Sequence, residues 1–169
     1  MLGSRTLRQY LINYARPLIY TTFMSHPALA LIKSSYALLQ SGETAALQQH
    51  LHDLTQTLYL GLRNLQSQSS AARTILTIPT ACPTSPIFAV QLQRPKRLAS
   101  ALQNSGAMVR AVVPPTVPLG TERVRICLHA GNTALEVSQL VKLLEVWCHG
   151  ELQERMGHAK EQAVIVAKL

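Results

Sequence analysis

The sequence predicts an α+β domain: a small sheet of three or four mainly antiparallel strands with helices on one face, preceded by a helical arm. Three observations carry this expectation. Up to residue 65 the apolar residues recur at helical spacings, whereas from residue 74 they fall in short strand-like runs. After the first helices, the segments follow the order strand, strand, helix, strand, strand, helix. Prolines, glycines and a capping sequence stand where elements should start or stop.

Residues 4–14 read as a helix, after which Pro17 is expected to force an extended "LIYTT" at 18–22. Pro27 suits the first turn of a helix that carries Leu29, Leu31, Ile32, Tyr36 and Leu39 to about residue 40. Ser41 is placed to cap a longer helix, in which Leu47, Leu51, Leu54, Leu58 and Leu65 form one apolar stripe. "QSQSSAAR" at 66–73 reads as a polar connector. The strand-like runs are "TILTI" at 74–78, "PIFAVQL" at 86–92, "AMVRAVV" at 107–113 and "RVRICLH" at 123–129. Between the second and third, Pro95 opens a short helix that Gly106 closes. Thr133 and Glu136 form a capping box for a last helix whose buried face holds Val137, Leu140, Val141, Leu144 and Trp147.

Composition narrows the function classes. The chain has 169 residues, 47% of them hydrophobic, enough for one domain with an appended segment. No apolar run approaches the roughly 18 residues needed to cross a bilayer, so no membrane partner is expected. Sixteen Lys and Arg against eight Asp and Glu give a net charge of +8, but the basic residues are scattered and only 5% of residues are aromatic. Nucleic acid is therefore not an expected partner. Cys82, Cys127 and Cys148 are too widely spaced for a zinc site and odd in number for a disulfide framework, which points to a reducing compartment. The histidines form no metal-binding pattern, and no metal is expected.

One strand holds an unusual polar face. Alternation puts Val124, Ile126, Leu128 and Ala130 on one side and Arg123, Arg125, Cys127 and His129 on the other. The first set is a core face. The second presents guanidinium groups, whose planar forks match a carboxylate or phosphate through two parallel hydrogen bonds. Pro114, Pro115 and Pro118 stiffen the loop that leads into this strand.

"YLINYARPLIYTT", a proline-opened helix, "SPIFAV" and "VVPPTVPLGTERVRI" follow one another in an order and spacing that resemble the C-terminal part of the α-oxoamine synthases. These are fold-type-I, pyridoxal 5'-phosphate enzymes of the α/β class, and the likeness covers the chain to about residue 147. The resemblance implies a homodimeric acyltransferase that condenses a small amino acid with an acyl-CoA and releases CoA and CO2. The "PPTVP-x-G-x-x-R-x-R" run is most similar to the fungal-type, biotin-pathway branch, whose substrates are alanine and a pimeloyl thioester. On this likeness Arg125 grips the amino-acid carboxylate, and Thr116 lines the acyl pocket. Thr22, with Thr21, contacts the cofactor phosphate across a dimer interface. Arg123 inherits no role.

The resemblance also sets boundaries. Residues 1–40 would be the end of a large cofactor-binding domain and a connecting helix, 41–156 a small C-terminal domain, and 157–169 a flexible tail. The family's Schiff-base lysine stands before the matching stretch, and Lys33, Lys96, Lys142, Lys160 and Lys168 do not match its surroundings. The chain is thus expected to be a C-terminal fragment with no catalytic residue of its own, inactive alone. Val113 stands where bacterial members carry arginine, and Asn132 where they carry histidine. A glycine C-acetyltransferase or 5-aminolevulinate synthase type therefore stays open, as does a non-catalytic paralogue that pairs with a complete subunit. The closing Ala167-Lys168-Leu169 resembles a peroxisomal address read by an import receptor, so the peroxisome is the expected location. The acid-free start with Arg5, Arg8 and Arg16 keeps the mitochondrion as an alternative beside the cytoplasm.

Overall fold

Proline and serine set the helix starts at the N-terminal end of the computed structural model, which describes residues 3–22 and 24–166. The chain divides into two units, Met1–Ala45 and Ala46–Leu169. In the first, α1 (Arg5–Tyr14) begins where the Ser4 hydroxyl accepts a hydrogen bond from Leu7 N at 3.1 Å. The expected extended stretch at 18–22 is corrected: Arg16–Ile19 form a short helix, α2, with Pro17 in its first turn. A proline there has no intrahelical N–H to lose, so it starts a helix instead of breaking one.

Helix α3 (His26–Ser41) is capped by Ser25 and ends at Gly42, whose φ of 81° is a left-handed conformation suited to glycine. Ser41 therefore closes α3 and does not cap the next helix; its hydroxyl donates to Leu38 O at 3.0 Å. Neither α1 nor α3 contains a buried residue, and Leu31 and Tyr36 are 70% and 60% exposed.

The second unit is built around α4 (Ala45–Gln68), whose buried residues Leu54, Leu58 and Leu65 realise part of the expected stripe, with Leu62, outside that expectation, buried beside them. Leu47, read as part of it, is exposed. The stretch 66–73 is not a connector, and 74–78 is not a strand. α4 runs to Gln68, and α5 (Ser70–Ile75) follows after the Ser69 hydroxyl accepts from Ala72 N at 3.2 Å. A serine cap ahead of two alanines wins over the β-branched pattern of Thr74, Ile75, Thr77 and Ile78. The only trace of the expected strand is a bridge between Thr77 and Gln91.

The remaining runs form one antiparallel sheet in the order β1-β3-β2, where β1 is Ile87–Gln91, β2 Arg110–Val112 and β3 Arg123–Cys127. The α+β expectation holds, with three strands. Phe88, Val90, Val124 and Ile126 on the inner face are buried with Leu98 and Leu102 of α6 (Pro95–Asn104) and Leu140 and Leu144 of α7 (Ala134–Val166). Helix α7 continues past residue 157, where the sequence suggests a tail. Gly61 lets α4 come close to α7, because a Cβ there would lie 2.9 Å from Val141 Cγ2.

Charge also ties α6 to α7. The buried Glu151 carboxylate accepts from Arg94 at 3.4 Å, Arg97 at 3.2 Å and Arg155 at 3.1 Å, and Arg97 also reaches Glu154 at 2.8 Å. Three guanidinium groups compensate the desolvation of one carboxylate, while each arginine keeps a path to water.

Candidate functional site

The outer face of the sheet is polar because the strand alternation is strict. Val124 and Ile126 are buried, while Arg125 and Cys127 between and beyond them are exposed. Arg125 lies opposite Ala89 of β1 on one side and Arg110 of β2 on the other. Both arginines line a cleft of about 580 Å³, together with Met108, His129, Glu136 and Leu140. Three parts meet there: the turn that leaves α6, the ends of β2 and β3, and the first turns of α7. Among the described residues, neither Arg110 nor Arg125 has an ion pair or a side-chain hydrogen bond.

Arg123 differs from Arg125 although both lie on the same face. Its Nε donates to Thr121 O at 2.9 Å, it is half-buried, and it does not line the cleft. It thus pins the end of the proline loop to β3. Thr116 is exposed in the turn closed by its N–H to Val113 O at 3.1 Å, and it too stands outside the cleft lining. Thr21 and Thr22 are exposed between α2 and α3 in the first unit. Ala167, Lys168 and Leu169 lie outside the described residues.

Three cleft residues went unassigned in the sequence. Arg110 stood inside the run 107–113, but only the β2–β3 register shows that it meets Arg125. His129 accepts from Gly131 N through Nδ1 at 3.2 Å, which leaves Nε2 to carry the proton of the neutral ring. Asn132 organises the β3–α7 loop: its Oδ1 accepts from His129 N at 2.9 Å, its Nδ2 donates to Glu136 at 3.2 Å, and its carbonyl pairs with His50 Nε2 at 2.9 Å.

The capping box is formed as expected. Glu136 N donates to the Thr133 hydroxyl at 3.2 Å, and the Glu136 carboxylate accepts from Thr133 N at 2.9 Å. Those hydrogen bonds, led by the one from Thr133 N and followed by that from Asn132, hold its carboxyl below the ordinary value of 4.5. A carboxyl with a lowered folded-state pKa stabilises the fold above its unfolded pKa and loses that contribution as pH falls through the folded value. Glu136→Gln is accordingly expected to flatten the loss of stability on acidification below 4.5, measured as melting temperature against pH. An unchanged acid limb would show that the carboxylate does not hold the start of α7.

The other titratable groups have plainer roles. Burial pushes the Cys148 thiol up to about 12, so it remains a neutral core thiol. Among the described residues no set of three His, Cys, Asp or Glu side chains is arranged to hold a metal ion, and no helix is long and apolar enough to cross a membrane.

Against this geometry the comparisons with known proteins are specific. The family model described as aminotransferase class I and II matches residues 1–144. The chain belongs to this family. It is 46% identical over 140 residues to the 8-amino-7-oxononanoate synthase of Emericella nidulans, a match that takes in 83% of this chain and 33% of that protein. Among solved structures, the 8-amino-7-oxononanoate synthase of Francisella tularensis matches with a TM-score of 0.58 at 24% identity, over 89% of this chain and 41% of that one. The serine palmitoyltransferase of Sphingomonas wittichii matches with a TM-score of 0.65 at 23% identity, over 86% of this chain and 34% of that one. These two likenesses establish the fold. The chain spans about one third of the length of the curated relatives it matches.

The enzymes of this family and fold use pyridoxal phosphate. The described residues do not fit the whole cofactor by themselves. Among the described residues no lysine lines the cleft: Lys33 is exposed on α3, Lys96 on α6 and Lys142 on α7. What the cleft offers is two arginines, Arg110 and Arg125, in a lining that also holds Ile126, Leu128, Val137 and Leu140.

Proposed function

We propose that the chain is the C-terminal portion of a pyridoxal-phosphate-dependent acyltransferase that joins alanine to a pimeloyl thioester, releasing CoA and CO2. The observation that carries this reading is Arg125, which lines the cleft at the second arginine of the R-x-R strand and has no ion pair among the described residues. Two parallel N–H groups from one rigid fork fix both the position and the orientation of a bound carboxylate. The identity of 46% to a fungal 8-amino-7-oxononanoate synthase supports alanine and a pimeloyl group over the substrates of other family branches. The same reading makes the complete enzyme a homodimer in which Thr21 and Thr22 face the cofactor phosphate. It also sends the protein to the peroxisome through Ala167-Lys168-Leu169, a proposal supported by that triplet alone.

The test joins this chain to the preceding two thirds of the family fold and follows the release of free CoA thiol from pimeloyl-CoA in the presence of alanine. Release that needs both substrates is expected from the joined protein. The chain by itself is expected to release none and to yield no borohydride-trapped lysine adduct with pyridoxal phosphate. A joined protein that folds and binds the cofactor, yet releases no CoA, would overturn the reading. So would turnover by the chain alone.

A further inference from the structure

Helix α6 starts with cations and without a cap. Arg94 at its N-cap position makes no side-chain cap hydrogen bond, Pro95 follows, and the first turn holds Lys96 and Arg97 but no acidic residue. The free N–H groups of a helix start favour negative charge and disfavour cations. The negative charge comes instead from α7. Glu151 and Glu154, beyond the stretch that the family model matches, pair with Arg94 at 3.4 Å and with Arg97 at 3.2 and 2.8 Å. The other end of α6 belongs to the cleft. Ser105, Gly106 and Ala107 donate backbone hydrogen bonds to the last residues of α6, and Gln103 Nε2 donates to Val109 O at 2.7 Å, so the turn 105–109 moves with the helix. That turn lines the cleft together with Glu136, Val137 and Leu140 at the start of α7. The two helices therefore run antiparallel, with the cleft at one end of the pair and Glu151, about four helical turns along α7 from Glu136, at the other.

We propose that Glu151 is a positioning residue for the cleft: by holding the start of α6 against α7 it fixes the turn 105–109, and with it the shape of the cleft that takes the amino acid. The inference rests on the reading that Arg125, in that lining, binds the amino-acid carboxylate. Glu151 itself is absent from the lining and acts through α6. Its buried carboxylate meets the guanidinium groups of Arg94, Arg97 and Arg155, and few arrangements satisfy all of them at once. The Arg97–Glu154 pair is half in water on both sides, so it adapts to displacement and holds α6 less firmly.

The experiment compares Glu151→Gln and Glu154→Gln with the unaltered full chain by amide hydrogen exchange, once urea unfolding has shown each to be folded. Glu151→Gln is expected to speed exchange at Ser105, Gly106 and Ala107 at least about tenfold with little change in β1 and α4, and Glu154→Gln to leave that turn within about twofold of the original. In the joined polypeptide, Glu151→Gln should raise the KM for alanine at least about threefold and change kcat by less than about twofold, because a displaced wall weakens ground-state and transition-state binding alike. Glu154→Gln should move neither. Should Glu151→Gln not fold, Arg94→Gln, which removes a half-exposed partner of the same carboxylate, is measured in its place against the same outcomes. Faster exchange spread evenly over the second unit, or a turn that keeps its protection, would overturn the proposal, as would an unchanged KM for alanine. If the joined wild-type protein releases no CoA, the functional reading fails and the exchange pattern alone decides whether Glu151 holds the cleft.

Discussion

Replacing Phe88 with alanine is expected to destabilise the second unit by about 3–5 kcal/mol, the range for truncating a fully buried aromatic. Phe88 is 0% exposed, sits in β1 opposite Ile126 of β3, and belongs to the cluster that joins the sheet to α4, α6 and α7. Removing the ring forfeits its burial and leaves a cavity that two strands and three helices cannot close together. Since domains are stable by only about 5–15 kcal/mol, the loss consumes much of what holds this unit folded. Urea unfolding followed by far-ultraviolet circular dichroism should show a lower midpoint with an unchanged slope. A cost below about 1 kcal/mol would mean that the inner face of the sheet is not the core.

The same strand shows what the sequence makes legible. Alternation in "PIFAVQL" and "RVRICLH" places Phe88, Val90, Val124 and Ile126 inward, and the structure buries all four. Local signals of this kind are read directly, as are the Thr133–Glu136 box and the Pro95 and Gly106 boundaries. Three local expectations fail for one reason: a polar or proline signal has two uses. Pro17 starts a helix although its position also suits a breaker, Ser41 ends a helix although a serine there also suits a start, and Ser69 caps "SAARTI" against its β-branched pattern.

The site is less legible than the fold because it depends on register. Arg125 is marked by its motif and its alternation, yet nothing in the local sequence says that Arg110 will be its partner across the sheet. Nor does spacing separate Arg123 from Arg125; the hydrogen bond from Arg123 to Thr121 O does. Asn132 proves to be the organiser of the loop before α7.

The second large effect concerns Arg125 in the joined, complete polypeptide. An ammonium group cannot reproduce the planar fork that binds a carboxylate through two parallel bonds, so Arg125→Lys loses one bond and the orientation it enforces. The expected cost is about 2–4 kcal/mol, on the order of a 30- to 1000-fold fall in kcat/KM for the amino acid. Cofactor binding and the KM for the acyl-CoA should change little. Because its side chain is tied to Thr121 O and stands outside the cleft lining, Arg123 should tolerate the same replacement.

The most direct test of the claim that Arg125 binds the amino-acid substrate is therefore kcat/KM for alanine, measured side by side for Arg125→Lys and Arg123→Lys in that polypeptide. The account predicts a fall of at least about 30-fold for the first and less than about threefold for the second. Equal losses from the two substitutions, or an Arg125→Lys enzyme that handles alanine normally, would contradict it.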